Sequence, residues 1–369
     1  MLALLAFPII QDKFHILKPL PLGGAVEEPV FKKLTWQGWW SGSYQDTMAA
    51  YLKGKTKLKP DLTRFINQID FSLFDKMRTN GIVRGSDGYL FEDWYIRCYC
   101  GEIKMSYNEC AVRLYKLKQL EDTLSRLGIS VVTLQAGSKA SYYPEYFPAN
   151  ERCDQKPFND HMLFNRVADS LGIQYIDFNK WFVSLKGKTQ GHLFTRQGVH
   201  WSIYGSVIAA DSFVRYLQNK DSFNLPDMKW DMGMPHLKPT QTDADIFDAL
   251  NLMMRPAADT FYYPRIWYEG EGRVRPKMIF IGDSYMWSWV WQYIPNNISS
   301  DWEFWYYNAS VWGVSTAGNI ESKNVTIENY DWTEHMLQSK CIVLMVSESN
   351  LSGLGWGFIE KSHAHFYGS

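Results

Sequence analysis

Cysteine is scarce: five residues in 369, namely Cys98, Cys100, Cys110, Cys153 and Cys341, and no two of them stand as Cys-x-x-Cys. His-Glu-x-x-His is missing as well. Without those spacings neither a metal site nor a metal-dependent chemistry is expected, and no cofactor motif takes their place. No basic block stands out either: 38 Lys and Arg against 39 Asp and Glu leave a net charge of −1. That balance excludes a nucleic-acid partner held by charge, and the lack of any charge run argues against a disordered tail. Repeats and low-complexity segments are absent.

A long hydrophobic run is also missing. Met1–Ile10 is apolar but falls short of the roughly 20 residues a membrane span needs, and it has no basic leader or clear cleavage site. It reads as the trailing part of an export or anchoring segment, or else as a short strand of a cytoplasmic protein. Pro19, Pro21, Gly23, Gly24 and Pro29 then make an extended linker. The chain is accordingly divided into a remnant and linker, 1–30, and a folded domain, 31–369, with an irregular excursion over about 224–275.

Aromatics, by contrast, are plentiful: 16 Trp, 22 Tyr and 21 Phe. Such rings mostly fill cores. Trp36, Trp39 and Trp40, and again Trp287, Trp289 and Trp291, follow one another too closely for all to be buried, and an exposed indole is suited to stacking on a sugar ring.

Periodicity supplies the framework. Helical spacing is predicted over 44–76, 108–127, 159–171 and 203–217, with Gly128 and Gly172 closing the second and third. Ile82–Phe91 reads as two short strands about a Ser-Asp-Gly turn, in which Arg84 and Asp87 are turn residues. Near-continuous apolar strands are predicted at 129–134, 277–281 and 341–346, where Cys341 opens a buried run, with further strands at 174–178 and 303–307. Strands and helices alternating in this way predict an α/β fold: a doubly wound, mostly parallel sheet with helices on both faces.

In such sheets ligands bind beyond the carboxyl ends of the strands. Ser284, Asn308, Glu348 and Asn350 each fall just after a strand, as does the loop that carries Lys139. Ser284 ends the run Ile279-Phe280-Ile281-Gly282-Asp283-Ser284, a strand followed by a sharp turn. A serine hydroxyl needs an adjacent base to act as a nucleophile, and His200, in Gly198-Val199-His200-Trp201-Ser202, is the candidate. The backbone N–H of Ser284 with an amide such as Asn308 or Asn350 would hold an oxyanion. Lys139 is a candidate contact for an anionic sugar, or equally a residue that only solvates its loop.

Gly282-Asp283-Ser284 resembles the nucleophile block of SGNH hydrolases, but here the histidine block precedes the serine. That permuted order resembles the periplasmic alginate O-acetyltransferases of the AlgJ/AlgX type. Val83–Phe91 is similar to that family's V-x-G-x-D-G-W-L-F segment, Lys139–Pro148 to its K-x-x-(I/V)-Y-P-E-x-L-P segment, and Val199–Gly205 to its T-H-W-S-x-x-G block. The resemblance spans about 35–355. It implies a Ser284 acyl-enzyme, a polysaccharide acceptor, a membrane-bound O-acyltransferase as acetyl donor and a periplasmic location; anchoring by the amino terminus is an expectation from the apolar start of the chain. An esterase of the same fold and a non-catalytic glycan-binding subunit of an export complex are the rival expectations.

One departure stands out. The family's histidine block commonly reads Asp-Thr-His-Trp, its Asp completing a triad, and Gly198 occupies that position here. Glu348 or Asp283 would substitute, or Ser284 and His200 would work as a dyad, or the site would only bind. In a dyad whose loop tolerates the side chain, Gly198→Asp is expected to raise activity.

Overall fold

The structure, a computed structural model, describes residues 21–368 apart from 24–30, 32, 56–58, 154–157, 221–222 and 256–258. The apolar segment Met1–Ile10 and most of the linker lie outside the described residues. These divide into two compact units, one drawn from residues up to Arg84 with Ile246–Ala257, the other from Gly85–Asp245 with Ala258–Ser369.

The smaller unit is helical over Ser43–Lys55 and Lys59–Phe74. In the second helix only Asn67 and Phe71 are buried, and Asn67 Nδ2 donates to the Leu250 carbonyl (2.8 Å). Phe65, Ile66, Leu73 and Phe74 remain exposed, as do Trp36, Trp39 and Trp40. The unit that carries the sheet begins at Gly85.

Seven strands build that sheet: β1 (Ser130–Ala136), β2 (Tyr175–Asp177), β3 (Met278–Gly282), β4 (Trp302–Tyr306), β5 (Ser310–Val314), β6 (Ile320–Thr326) and β7 (Cys341–Ser347). Their order is β6-β5-β4-β3-β7-β1-β2. The pairings β4/β3, β3/β7, β7/β1 and β1/β2 are parallel, while β4/β5 and β5/β6 are antiparallel. A mostly parallel α/β sheet was expected from the apolar strands, and it is found. The antiparallel edge was not. Its strands carry polar and half-exposed residues, Ile320–Thr326 in strict alternation only in part, so no apolar run announces them.

Strand side chains alternate between faces. On one face Ile279, Ile281, Ile342, Leu344 and Val346 pack with Leu114, Leu117, Leu124, Phe164, Phe358 and Ile359 from three helices, Tyr107–Arg126, Asp160–Leu171 and Phe358–Tyr367. The first of these is opened by a capping box: Glu109 N–H donates to Ser106 Oγ, and Ser106 N–H to Glu109 Oε2. Gly172 closes the second in the left-handed conformation (φ 68°).

The other face takes Phe304, against the edge of Trp287 at 5.1 Å, and the helices Ile203–Lys220 and Trp287–Trp291, joined where Phe213 stacks on Trp289 at 5.2 Å. The two tryptophans at i and i+4, Trp287 and Trp291, share the outer side of their short helix, and Trp289 faces inward and is fully buried. Spacing thus sorts three neighbouring indoles between core and surface.

The excursion is more ordered than expected. Asp227–Asp231 pairs antiparallel with Arg265–Glu269, and Pro235–His236 with Phe261–Tyr262. A two-pronged ion pair from Arg273 to Asp227 (2.7 and 3.0 Å) pins the first ribbon. Exposure of alternate residues along these strands left no hydrophobic signature to read.

Candidate active site

Ser284 begins a tight turn directly after β3, at the sheet's carboxyl edge. Asp283, fully buried, fixes that turn. Its Oδ1 accepts from Tyr285 N–H (3.1 Å), and its Oδ2 accepts from Ser347 N–H (2.8 Å) and Asn350 Nδ2 (3.0 Å). The carboxylate therefore ties the ends of β3 and β7 together, and its hydrogen bonds go to these donors rather than to the histidine. Asn350 takes part in the same knot through Nδ2.

His200 arrives from a loop held by its neighbours. Trp201 is buried, stacks on Trp289 at 5.9 Å, and donates from Nε1 to Ser288 Oγ (2.7 Å). Tyr285 meets the imidazole edge-on at 4.8 Å and donates its hydroxyl to the Val199 carbonyl (3.2 Å). These contacts bring His200 Nε2 to 2.7 Å from Ser284 Oγ.

The group on the other ring nitrogen is Asp245. Its Oδ2 takes the hydrogen bond from His200 Nδ1, and its Oδ1 accepts from Val199 N–H (2.8 Å). With Nδ1–H directed at a carboxylate, Nε2 is the acceptor and the Ser284 hydroxyl donates to it. Burial pulls the His200 pKa down, but the nearby Asp245 carboxylate, aided by Asp283 and Glu92, more than offsets this and raises it above the ordinary histidine value.

Asp245 lies within the stretch expected to be an irregular excursion. The segment ahead of it is stitched to the histidine loop: Thr195 Oγ1 donates to the Asp243 carbonyl (2.7 Å), and Ile203 N–H to Asp243 Oδ1 (3.0 Å). Gly198 is where the two segments touch. A Cβ built there would stand 2.4 Å from the Thr242 carbonyl oxygen and 2.9 Å from Thr195 Oγ1. An aspartate at 198 would find its space already filled by the segment that delivers Asp245, so the expectation that Gly198→Asp restores a triad is withdrawn. In sequence, Asp243 and Asp245 ahead of Ile246-Phe247 mark a helix start, but nothing links that turn to a histidine 45 positions earlier.

The other candidates have different partners. Glu348 accepts from Ser141 Oγ, Asn159 Nδ2 (3.0 Å) and Asn179 Nδ2 (3.2 Å), a buried cluster that excludes it from orienting His200. Asn308 Nδ2 donates to the Trp356 carbonyl (3.1 Å). The phenol of its neighbour Tyr307 instead interacts with Ser284; burial, chiefly, pushes this phenol up to about 12.

Lys139 is buried, not presented to a ligand. Its Nζ donates to the carbonyls of Leu90 (2.6 Å), Arg196 (2.8 Å) and Gly198 (2.8 Å), so all three protons are used inside the protein. Burial lowers its pKa to about 7. It braces the histidine loop from beneath, and the expectation that it meets an anionic sugar is corrected accordingly.

A cavity of about 540 Å³ opens over Ser284 and His200, and Trp287, Trp291, Tyr293 and Ile320 line it as well. Elsewhere in this unit Cys100 and Cys153 form a disulfide with Cα atoms 5.5 Å apart, while Cys98 and Cys110 are buried thiols.

Comparison with known proteins agrees with this architecture. Residues 82–247 match the family described as SGNH hydrolase-like domain, acetyltransferase AlgX. That span holds three of the four resembling segments, and Ser284 lies beyond it. The "Probable alginate O-acetylase AlgJ" of Pseudomonas putida is 25% identical over 156 residues, which are 42% of this chain and 38% of the relative. Its namesake from Azotobacter vinelandii is 27% identical over 146 residues, 38% of this chain and 34% of the relative. The matched regions thus span only about a third of these relatives' length. The solved O-acetyltransferase domain of Pseudomonas putida AlgJ shares the fold, with a TM-score of 0.50 at 16% identity over 77% of this chain and 99% of that one. Sequence agreement over 82–247 and a shared fold make this part of the chain similar to the SGNH hydrolase-like domain of the AlgJ/AlgX type.

Proposed function

We propose that this protein is an O-acetyltransferase that passes an acetyl group through Ser284 onto a polysaccharide hydroxyl outside the cytoplasm. The observation that carries the proposal is the chain of contacts Ser284–His200–Asp245, with serine oxygen and imidazole nitrogen 2.7 Å apart. Ser284 Oγ attacks the acetyl carbonyl while His200 Nε2 takes its proton. The same imidazolium returns that proton to the departing oxygen of the donor. His200 then accepts a proton from a sugar hydroxyl, which attacks the acyl-enzyme, and Ser284 regains its proton as the ester of the sugar leaves. Such acid–base assistance contributes typically about 10²–10⁴-fold. Asp245 holds the productive tautomer and stabilises the imidazolium.

The relatives named as alginate O-acetylases support an acetyl group and a polysaccharide as the reactants. The Cys100–Cys153 disulfide is at home in an oxidising compartment, in keeping with a periplasmic location. Among the described residues no helix is long and apolar enough to cross a membrane. A membrane-bound O-acyltransferase is the proposed source of the acetyl group.

Incubation with an activated acetyl ester is expected to place one acetyl on the protein, mapping to Ser284, and added oligosaccharide to discharge it as an acetylated sugar. Discharge to water alone, whatever the sugar, would make the protein an esterase. Label undiminished in Ser284→Ala would end the serine assignment.

A further inference from the structure

We propose that the aromatic residues lining the cavity over Ser284 form a subsite for an uncharged polysaccharide segment, laid with its C–H face on Trp291 and Tyr293. The inference rests on the acetyltransferase reading in treating the occupant as the acceptor.

Three observations carry it. Trp291 and Tyr293 line the cavity and are 41% and 44% exposed, so each leaves a large ring face to solvent within a concave site. Trp291 is held by stacking on Trp287 at 5.6 Å, and Trp287 is wedged against Trp312 at 4.8 Å and Phe304 at 5.1 Å. A ring fixed from behind loses little freedom when a ligand covers it. Tyr293 sits in the left-handed region (φ 56°), where its N–H closes the preceding turn on the Val290 carbonyl. That conformation is uncommon for a bulky residue and is characteristic of functional sites.

The second observation is the charge. None of the described residues lining the cavity is Lys or Arg. The charged groups that act most on His200 are Asp245, Asp283 and Glu92, all acidic. A polyuronate chain, with one carboxylate per sugar, would approach Asp245 with no Lys or Arg among the described lining residues to receive it. A neutral chain meets no such penalty, and its apolar faces match the rings.

Third, the geometry couples platform to chemistry. Trp287–Trp291 follows the Ser284 turn without a break, so a sugar resting on Trp291 is positioned by the same short segment that holds the nucleophile.

The test uses the full chain carrying Ser284→Ala, so that binding is read without turnover. Calorimetry at low salt would compare neutral hexamers of β-1,4-linked glucose, mannose, galactose and N-acetylglucosamine with a mannuronate hexamer. At least one neutral hexamer is expected to bind about tenfold or more tightly than mannuronate, with the gap narrowing as salt screens the repulsion. Adding Trp291→Ala is expected to weaken that neutral ligand roughly tenfold, and Trp291→Phe to retain most of the affinity. Mannuronate binding equally or better, no neutral hexamer binding, or indifference to Trp291→Ala would each overturn the proposal. The binding readout is independent of acylation. If Ser284 fails to take an acetyl while a neutral hexamer still binds, the transferase reading falls and the glycan platform stands.

Discussion

Gly198 and Thr242 are in such close register that a methyl group on the glycine would lie 2.4 Å from the threonine's carbonyl oxygen. The bare Cα at 198 is therefore the condition under which the 242–245 segment can pass beside the histidine loop and set Asp245 on His200 Nδ1. The family's aspartate is absent from 198, and a carboxylate reaches the same ring nitrogen from 45 residues downstream.

Asp245→Asn is expected to lower the rate of Ser284 acetylation by about 10⁴-fold, the scale set when a triad loses its orienting carboxylate. Glu348→Gln, by contrast, should reduce stability and leave the tautomer of His200 unchanged. Stopped-flow acylation with an activated ester measures the first and should find Glu348→Gln near the wild-type rate, while thermal unfolding measures its loss of stability. A fall of less than threefold in Asp245→Asn would return the site to a serine–histidine dyad.

Gly198→Ala and Gly198→Asp should both destabilise the protein. Overpacking costs typically about 1–3 kcal/mol, and in a unit of this size each kcal/mol lowers the melting temperature by roughly 2–4 °C. Acylation should fall too, since the displaced segment carries Asp245. A faster Gly198→Asp enzyme with an unchanged melting temperature would contradict the packing described.

The acylation rate should rise with pH through a midpoint above the ordinary histidine value of about 6.5. The sign follows from the chemistry: only neutral His200 accepts the serine proton, and its acidic surroundings raise its pKa. Asp245→Asn should move the midpoint downward. For stability, a raised histidine pKa contributes fully below the unfolded value and is lost as pH rises through the folded one. A wild-type midpoint below the ordinary value would mean that burial dominates.

Lys139→Met should cost about 3 kcal/mol or more, because three buried carbonyls, at Leu90, Arg196 and Gly198, lose their donor at once. Denaturant unfolding measures it. A loss under 1 kcal/mol would show that the loop does not depend on the lysine.

Much of this protein was already legible as sequence. Apolar runs ending in Gly282-Asp283-Ser284 and in Ser347-Glu348 mark buried parallel strands, because only a strand covered on both faces is apolar throughout. Carboxyl edges of such strands gather at one side of the sheet, and that placed Ser284 near whatever the histidine loop supplied. Chain order and local pattern also separated the helices, two of which end at the left-handed glycines Gly128 and Gly172 that the sequence marks.

Tertiary structure decided the rest. Which of several acids meets His200 depends on how loops far apart in sequence stack, and no periodicity encodes that. Asp283 and Glu348 follow strands as faithfully as Ser284 does, yet their carboxylates are spent on backbone N–H and amide donors in the core. Lys139 sits in a strand-end loop like a ligand contact but turns inward to three carbonyls. Asp245 is unremarkable among the acids of a Pro- and Met-rich stretch until the segment before it packs on Gly198. Local sequence determines which backbone forms; the role of a charged side chain is fixed by the partners that folding brings within hydrogen-bond reach.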